Sequence, residues 1–293
     1  MSRTRMIRVA ASGWACFLER PMAPAPVHLD PLRLVLVLVA AVIGGAVNSI
    51  AGGGTLLTFP ALVGLGIPAV VANATSTVAL WPGTVASVWG YRELLAGMRS
   101  WVVRFAIPSV VGGLLGAVLL IRTPPDRFDA IVPWLVLGAT LLFMVQKPLT
   151  ERLGGRIANS PAVRSISDHE ADRAVRPDAR VLAYQFGVAV YGGYFGAGIG
   201  ILMLAALGFM GFRNIHRMNG LKNWGGLCAN ALAAMTFAFS GLVSWPVAAA
   251  MALGAAAGGY GGSRIAQRVP QARIRQAIVV IGLASSLWLV TRV

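Results

Sequence analysis

Apolar runs long enough to cross a bilayer recur through this chain and constrain its fold more than any motif does. A spanning helix needs about 20 apolar residues. Runs near that length occupy Leu32–Ile50, Val102–Ile121, Ala130–Gln146, Leu182–Met210, Met218–Phe239 and Trp245–Gly262, with a shorter one at Ala277–Val290. Only 12% of the residues are charged and the mean hydropathy is +0.72, far from a soluble domain. Glycine supplies 35 of 293 residues, and small side chains let membrane helices approach closely. The expected fold is an all-α polytopic membrane protein.

The net charge of +15 does not mark a nucleic-acid binder, because the basic residues are scattered in the short connections between apolar runs. The expected surroundings are a lipid bilayer and no nucleic acid. Residues 1–31 read as an N-terminal extension. Arg3, Arg5, Arg8 and Arg20 flank too short an apolar stretch for a signal peptide, and Met22 is a more natural start. Residues 32–146 and 181–293 form two apolar blocks around a polar segment, 147–180, with seven basic and five acidic residues. That segment reads as a solvated loop, with room for a short amphipathic helix.

Each block carries a glycine-rich interruption inside an apolar run. In the first block it is "NSIAGGGTLLTFP" (48–60), where Gly52, Gly53 and Gly54 stand together. Each glycine costs a helix about 1 kcal/mol relative to alanine. A shift of 145 places "AGGGTLLTFPAL" (51–62) over "GAGIGILMLAAL" (196–207), and a shift of 146 places "NATST" (73–77) over "NGLKN" (219–223). Weak internal repetition with interrupted helices in matching places points to a secondary transporter. The expected architecture is therefore two repeats of about four spans each, with broken or re-entrant helices at the glycines.

Loop charge then chooses an orientation. If the chain reverses at each break, the repeats are inverted, and sixteen basic residues share the side of the 147–180 loop against four on the other. This is the better positive-inside solution. It puts the loop in the cytoplasm and both termini outside. The segment Thr55–Gly66 would be only about 18 Å long as a helix, which suits a re-entrant element.

Chemistry inside the blocks favours an anion. The chain has ten acidic residues and none after Asp178, whereas cation carriers and proton relays use intramembrane carboxylates. Lys222, Asn219 and Asn223 stand in the second block, Asn73, Thr75, Ser76 and Thr77 in the first. Broken helices expose amide N–H groups that suit anions. The candidate substrate site is Asn48, Gly52, Gly53, Gly54, Asn73, Thr75, Ser76, Gly196, Gly198, Asn219, Lys222 and Asn223.

Plainer roles exist for each. Lys222 can snorkel to the interface, Asn73 can be a helix N-cap, and Thr75, Ser76 and Thr77 can bond to their own helix. Trp81-Pro82-Gly83 reads as a kink or packing feature. The histidines, His28, His169 and His216, all fall in connections or extensions. No hydrolytic or metal site is expected inside the spans, nor any cofactor. No Walker sequence occurs, which argues against ATP-driven transport by this chain.

Three segments, "GGAVNSIAGGGTLLTFPAL", "VVANATSTVALWPGTVASVWGYR" and "NIHRMNGLKNWGGLCANALAAMTF", resemble the sulfite exporter TauE/SafE family of membrane transporters. The resemblance covers about 32–291. It implies multi-pass insertion in the bacterial inner membrane and transport of sulfur-containing anions such as sulfite or sulfonates. The second break departs from the first, with Ile199 interrupting its glycines. The alternative to a carrier is a passive anion channel of the same architecture.

Overall fold

The computed structural model describes residues 30–158, 178–210, 212, 214–265 and 271–291. The N-terminal extension through residue 29 and the loop centre, 159–177, lie outside them. Among the described residues there are ten helices and no strand. In the first half these are α1 (Pro31–Ala51), α2 (Thr55–Gly64), α3 (Ala69–Leu95), α4 (Arg99–Arg122) and α5 (Pro125–Ala158). In the second they are α6 (Ala179–Tyr194), α7 (Ile199–Phe209), α8 (Ile215–Phe239), α9 (Trp245–Ile265) and α10 (Gln271–Val290).

Local signals set several ends. The Asp30 carboxylate accepts from the Arg33 amide at 2.8 Å, and Pro31 follows it, so α1 starts on an N-cap and a preset φ. The carboxylate of Asp178 starts α6 in the same way, accepting from Ala179 N at 2.6 Å. Asn214 caps α8, its Oδ1 accepting from the amides of His216 and Arg217 at 3.0 and 3.2 Å. The sequence allows Asn73 as a helix N-cap. Instead α3 begins after Pro68 and α8 after Asn214, so Asn73 and Asn219 stand more than one turn inside their helices. Pro82 does not interrupt α3. Helix α5 continues through Ala158, into the segment read as loop, where Leu149, Leu153 and Ile157 keep a four-residue spacing.

Packing follows the small residues. Gly254, Gly258 and Gly262 of α9 meet Leu38, Val42 and Ala46 of α1 in that order, so the two helices run in the same direction. Helix α3 runs alongside α9 in that direction too, with Gly83 against Gly259 and Gly90 against Ser263. The Ser87 hydroxyl donates to Gly259 O at 3.2 Å. A second set repeats the arrangement: Gly112 and Gly116 of α4 meet Phe186 and Val190 of α6 in order. In the same set Trp224 Nε1 donates to Val102 O at 2.8 Å and Gly113 meets Ala229, aligning α4 with α8. The sets join where α3 crosses α8 in opposite directions. There Gly220 lies against Tyr91 and Leu95, and Trp81 Nε1 donates to Leu227 O at 3.4 Å.

Helix α2 doubles back along α1, placing Gly54 against Asn48 and Thr58 against Gly44. Its ten residues make it about 15 Å long. An edge-on contact of Phe59 with Phe195, centroids 5.3 Å apart, ties it to the segment after α6. Outward faces are apolar: Leu32, Leu36, Val39 and Ile43 of α1 and Val103, Ile107 and Leu119 of α4 are exposed. Both of these helices are long and apolar enough to span a bilayer.

Candidate functional site

The site grows from the way α1 ends. Gly52 takes φ 79°, and its amide closes back on Asn48 O and Val47 O at 3.0 and 3.2 Å. This is a left-handed glycine cap, which L-side chains adopt only with strain. The last carbonyls of a helix still need donors. Two side chains of α8 supply them. Lys222 Nζ donates to Asn48 O at 3.1 Å and to Ser49 O at 2.8 Å, and Asn223 Nδ2 donates to Ser49 O at 3.1 Å. A cation at a helix C-terminus also complements its partial negative charge. Lys222 is only 2% exposed, so it does not snorkel to an interface.

The end of α6 is closed from the other half. Asn73 Nδ2 of α3 donates to Tyr194 O at 2.9 Å, and within the second half the hydroxyl of Tyr191, in α6 itself, donates to Ala197 O at 2.8 Å. Each broken helix is therefore capped by a side chain from the opposite half. The breaks touch one another: a Cβ on Gly52 would collide with the Cα of Gly200, in the first turn of α7. The Lys222 stem lies against Gly200 as well.

A cavity of about 30 Å³ sits at this crossing, room for about two waters. Of the residues proposed from sequence, Asn48, Gly52, Gly196, Lys222 and Asn223 line it. The others are placed elsewhere. Gly54 packs on Gly44 and Asn48, and Gly53 O accepts from the Leu56 amide at 3.0 Å. Gly198, at φ 76°, packs near Ala139. The Thr75 hydroxyl accepts from Ser244 N at 3.0 Å, and Ser76 shares a 2.7 Å hydrogen bond with Thr58. Asn73 caps α6, and Asn219 is fully buried one turn before Lys222 and Asn223.

Three polar lining residues escaped the sequence reading: Thr55, Thr84 and Asn230. Thr84 follows Thr77, and Asn230 follows Asn223, by seven residues. Two helical turns return to one face, so that spacing was the available signal. Asn48 Nδ2 donates to the Thr84 hydroxyl at 3.3 Å, whereas Asn230 Oδ1 is buried without a partner. No carboxylate lines the cavity, and Lys222 is its one charged side chain among the described residues. Thr55 and Gly200, in the first turns of α2 and α7, border it as well. The amides of Leu56, Leu57 and Thr58 are taken by Gly53 O and Gly54 O and those of Ile201 and Leu202 by Gly198 O, so the positive potential comes from the aligned peptide dipoles of the two short helices. Such a chamber suits a small anion and offers a cation no carboxylate.

Comparison with known proteins identifies the family. The sequence model of the family described as "Sulfite exporter TauE/SafE" matches residues 36–289. The "Probable membrane transporter protein ORF9" of a Sinorhizobium species is 29% identical over 259 residues, 87% of this chain and 92% of that protein. The "Probable membrane transporter protein YfcA" of Escherichia coli strain K12 is 29% identical over 268 residues, 88% and 90% of the two chains. A "Probable membrane transporter protein" of Haemophilus influenzae is 26% identical over 258 residues, 85% and 91% of the two. With the family matched across both glycine breaks and the helices that cap them, the chain belongs to the sulfite exporter TauE/SafE family of membrane transporters.

Proposed function

We propose that this transporter is a multi-pass carrier of the bacterial inner membrane that moves small sulfur-containing anions, sulfite or a sulfonate, by alternating access. The observation that carries the reading is the crossing of two broken helices at Gly52 and Gly200, around a chamber whose one charged side chain among the described residues is Lys222. Discontinuous helices at a repeat interface are the usual setting of a carrier's site. Helix directions support inverted repeats. Helices α1, α3 and α9 run one way, α4, α6 and α8 the other, so the first helices of the two halves, α1 and α6, are opposed. With the halves opposed, the 147–180 loop and both termini take opposite sides, and loop charge assigns the loop to the cytoplasm.

A single cysteine at Asn159 and another at Val293 are then expected to react with impermeant maleimide from opposite sides of the membrane. Labelling of both from one side would replace inversion with parallel repeats. The substrate is tested by uptake of radiolabelled sulfite, sulfate, thiosulfate and taurine into proteoliposomes. Saturable uptake of one or more of them is the expected result. Flux that rises linearly with concentration would favour a channel of the same architecture.

A further inference from the structure

The two halves cap their broken helices in different registers. Under the repeat alignment, Tyr194 is the counterpart of Ser49, a shift of 145, and Asn73 is the counterpart of Asn219, a shift of 146. Tyr194 O is held by Asn73 at 2.9 Å. Its counterpart, Ser49 O, is held by Lys222 and Asn223 at 2.8 and 3.1 Å, the counterparts of Ser76 and Thr77. Equivalent carbonyls thus meet equivalent helices one turn apart. Asn219 is left with neither Nδ2 nor Oδ1 partnered, although it is fully buried. An orphaned carboxamide in so dry a place is costly. It lies on the same face of α8 as Lys222 and Asn223, one turn toward the α8 N-terminus.

We infer that Asn219 is the alternative cap of α1: in the other transport state Ser49 O passes from Lys222 and Asn223 to Asn219, and the freed ammonium faces the anion. The inference rests on the inverted-repeat carrier reading above. The exchange is a one-turn slide of α1 along α8, about 5.4 Å. It gives α1 the register that α6 already has on α3, and it never leaves the broken helix uncapped. Asn219 is a positioning residue; it acts through Lys222.

The test uses the full-length protein in proteoliposomes with sulfite as probe. Asn219→Leu removes the donor at similar volume, and Asn219→Gln restores it. Loss of one buried cap makes the competent state about tenfold rarer, which raises KM by that factor while saturating sulfite still pulls the protein through its cycle. The expected result is a KM about tenfold higher in Asn219→Leu with Vmax within about twofold, and recovery to within about threefold in Asn219→Gln. A merely structural asparagine would instead lower Vmax at constant KM, and that outcome overturns the inference. A second measurement needs no substrate. Thr84→Cys, with Cys16 and Cys228 replaced by serine and alanine, places a thiol in the cavity. Its reaction with methanethiosulfonate ethylsulfonate should slow about tenfold in Asn219→Leu; an unchanged rate refutes the exchange. If Lys222→Met loses transport while Asn219→Leu leaves both readouts unchanged, the anion carrier stands and the capping exchange alone fails. If Lys222→Met also transports normally, the carrier site itself is misplaced.

Discussion

Replacing Lys222 by methionine is expected to reduce anion uptake by at least about a hundredfold while the protein still inserts, and Lys222→Ala to abolish it. Methionine keeps an unbranched stem against Gly200 and removes only the ammonium. The missing charge is then separated from missing packing, which alanine would remove together. Two losses combine. The chamber forfeits its one charged side chain, and an interaction between a buried cation and an anion is strong where water is excluded. The carbonyls of Asn48 and Ser49 also lose the shared donor. Ser49 O keeps Asn223 at 3.1 Å, whereas Asn48 O keeps only the Gly52 amide. Neither carbonyl is left unpaired, so only a small fall in detergent melting temperature should accompany the transport defect. Initial uptake rates normalised to reconstituted protein decide it. Unchanged kinetics in Lys222→Met would remove the lysine from the site.

The second large effect concerns the break itself. Gly52→Ala places a methyl group where the Cα of Gly200 already lies, at a backbone φ of 79°. Left-handed strain costs about 1–2 kcal/mol and overpacking about 1–3 kcal/mol more. Gly66→Ala is the control, since its φ of 87° is also left-handed but nothing lies within 4 Å of a Cβ there. Gly66→Ala should carry the strain alone and transport normally. Gly52→Ala should be less stable than Gly66→Ala and lose most uptake, because the two breaks can no longer cross. Thermal unfolding in detergent and uptake in vesicles, measured side by side, test the pair. Equal behaviour of the two variants would reduce Gly52 to a turn residue with no part in the crossing.

The sequence carried the fold class because length and hydropathy of the runs need no tertiary information. The breaks were legible for a similar local reason, since glycine clusters inside apolar runs oppose a continuous helix. Helix starts were less so. Asn73 looks like a cap, yet Pro68 begins its helix more than a turn earlier. Asparagine favours both caps and buried hydrogen bonds, and only packing tells which. The site itself was half visible. Lys222 stood out as a cation in an apolar run, but its acceptors, Asn48 O and Ser49 O, lie more than 170 residues away. Backbone carbonyls have no sequence signature. Thr84 and Asn230 were recoverable only by asking which residues share a face with Thr77 and Asn223. Ser76 and Thr75 have the right chemistry, but their hydroxyls are committed to Thr58 and Ser244.

The central claim is that an anion bound at the Gly52–Gly200 crossing, beside Lys222, is carried by alternating access. Counterflow tests it most directly. Vesicles preloaded with millimolar unlabelled sulfite are diluted into trace radiolabelled sulfite, and internal label is followed with time. A carrier that exchanges bound anions gives transient accumulation of label above the external concentration, and Lys222→Met abolishes it. Simple equilibration of label without overshoot, or an overshoot that survives Lys222→Met, would contradict the account.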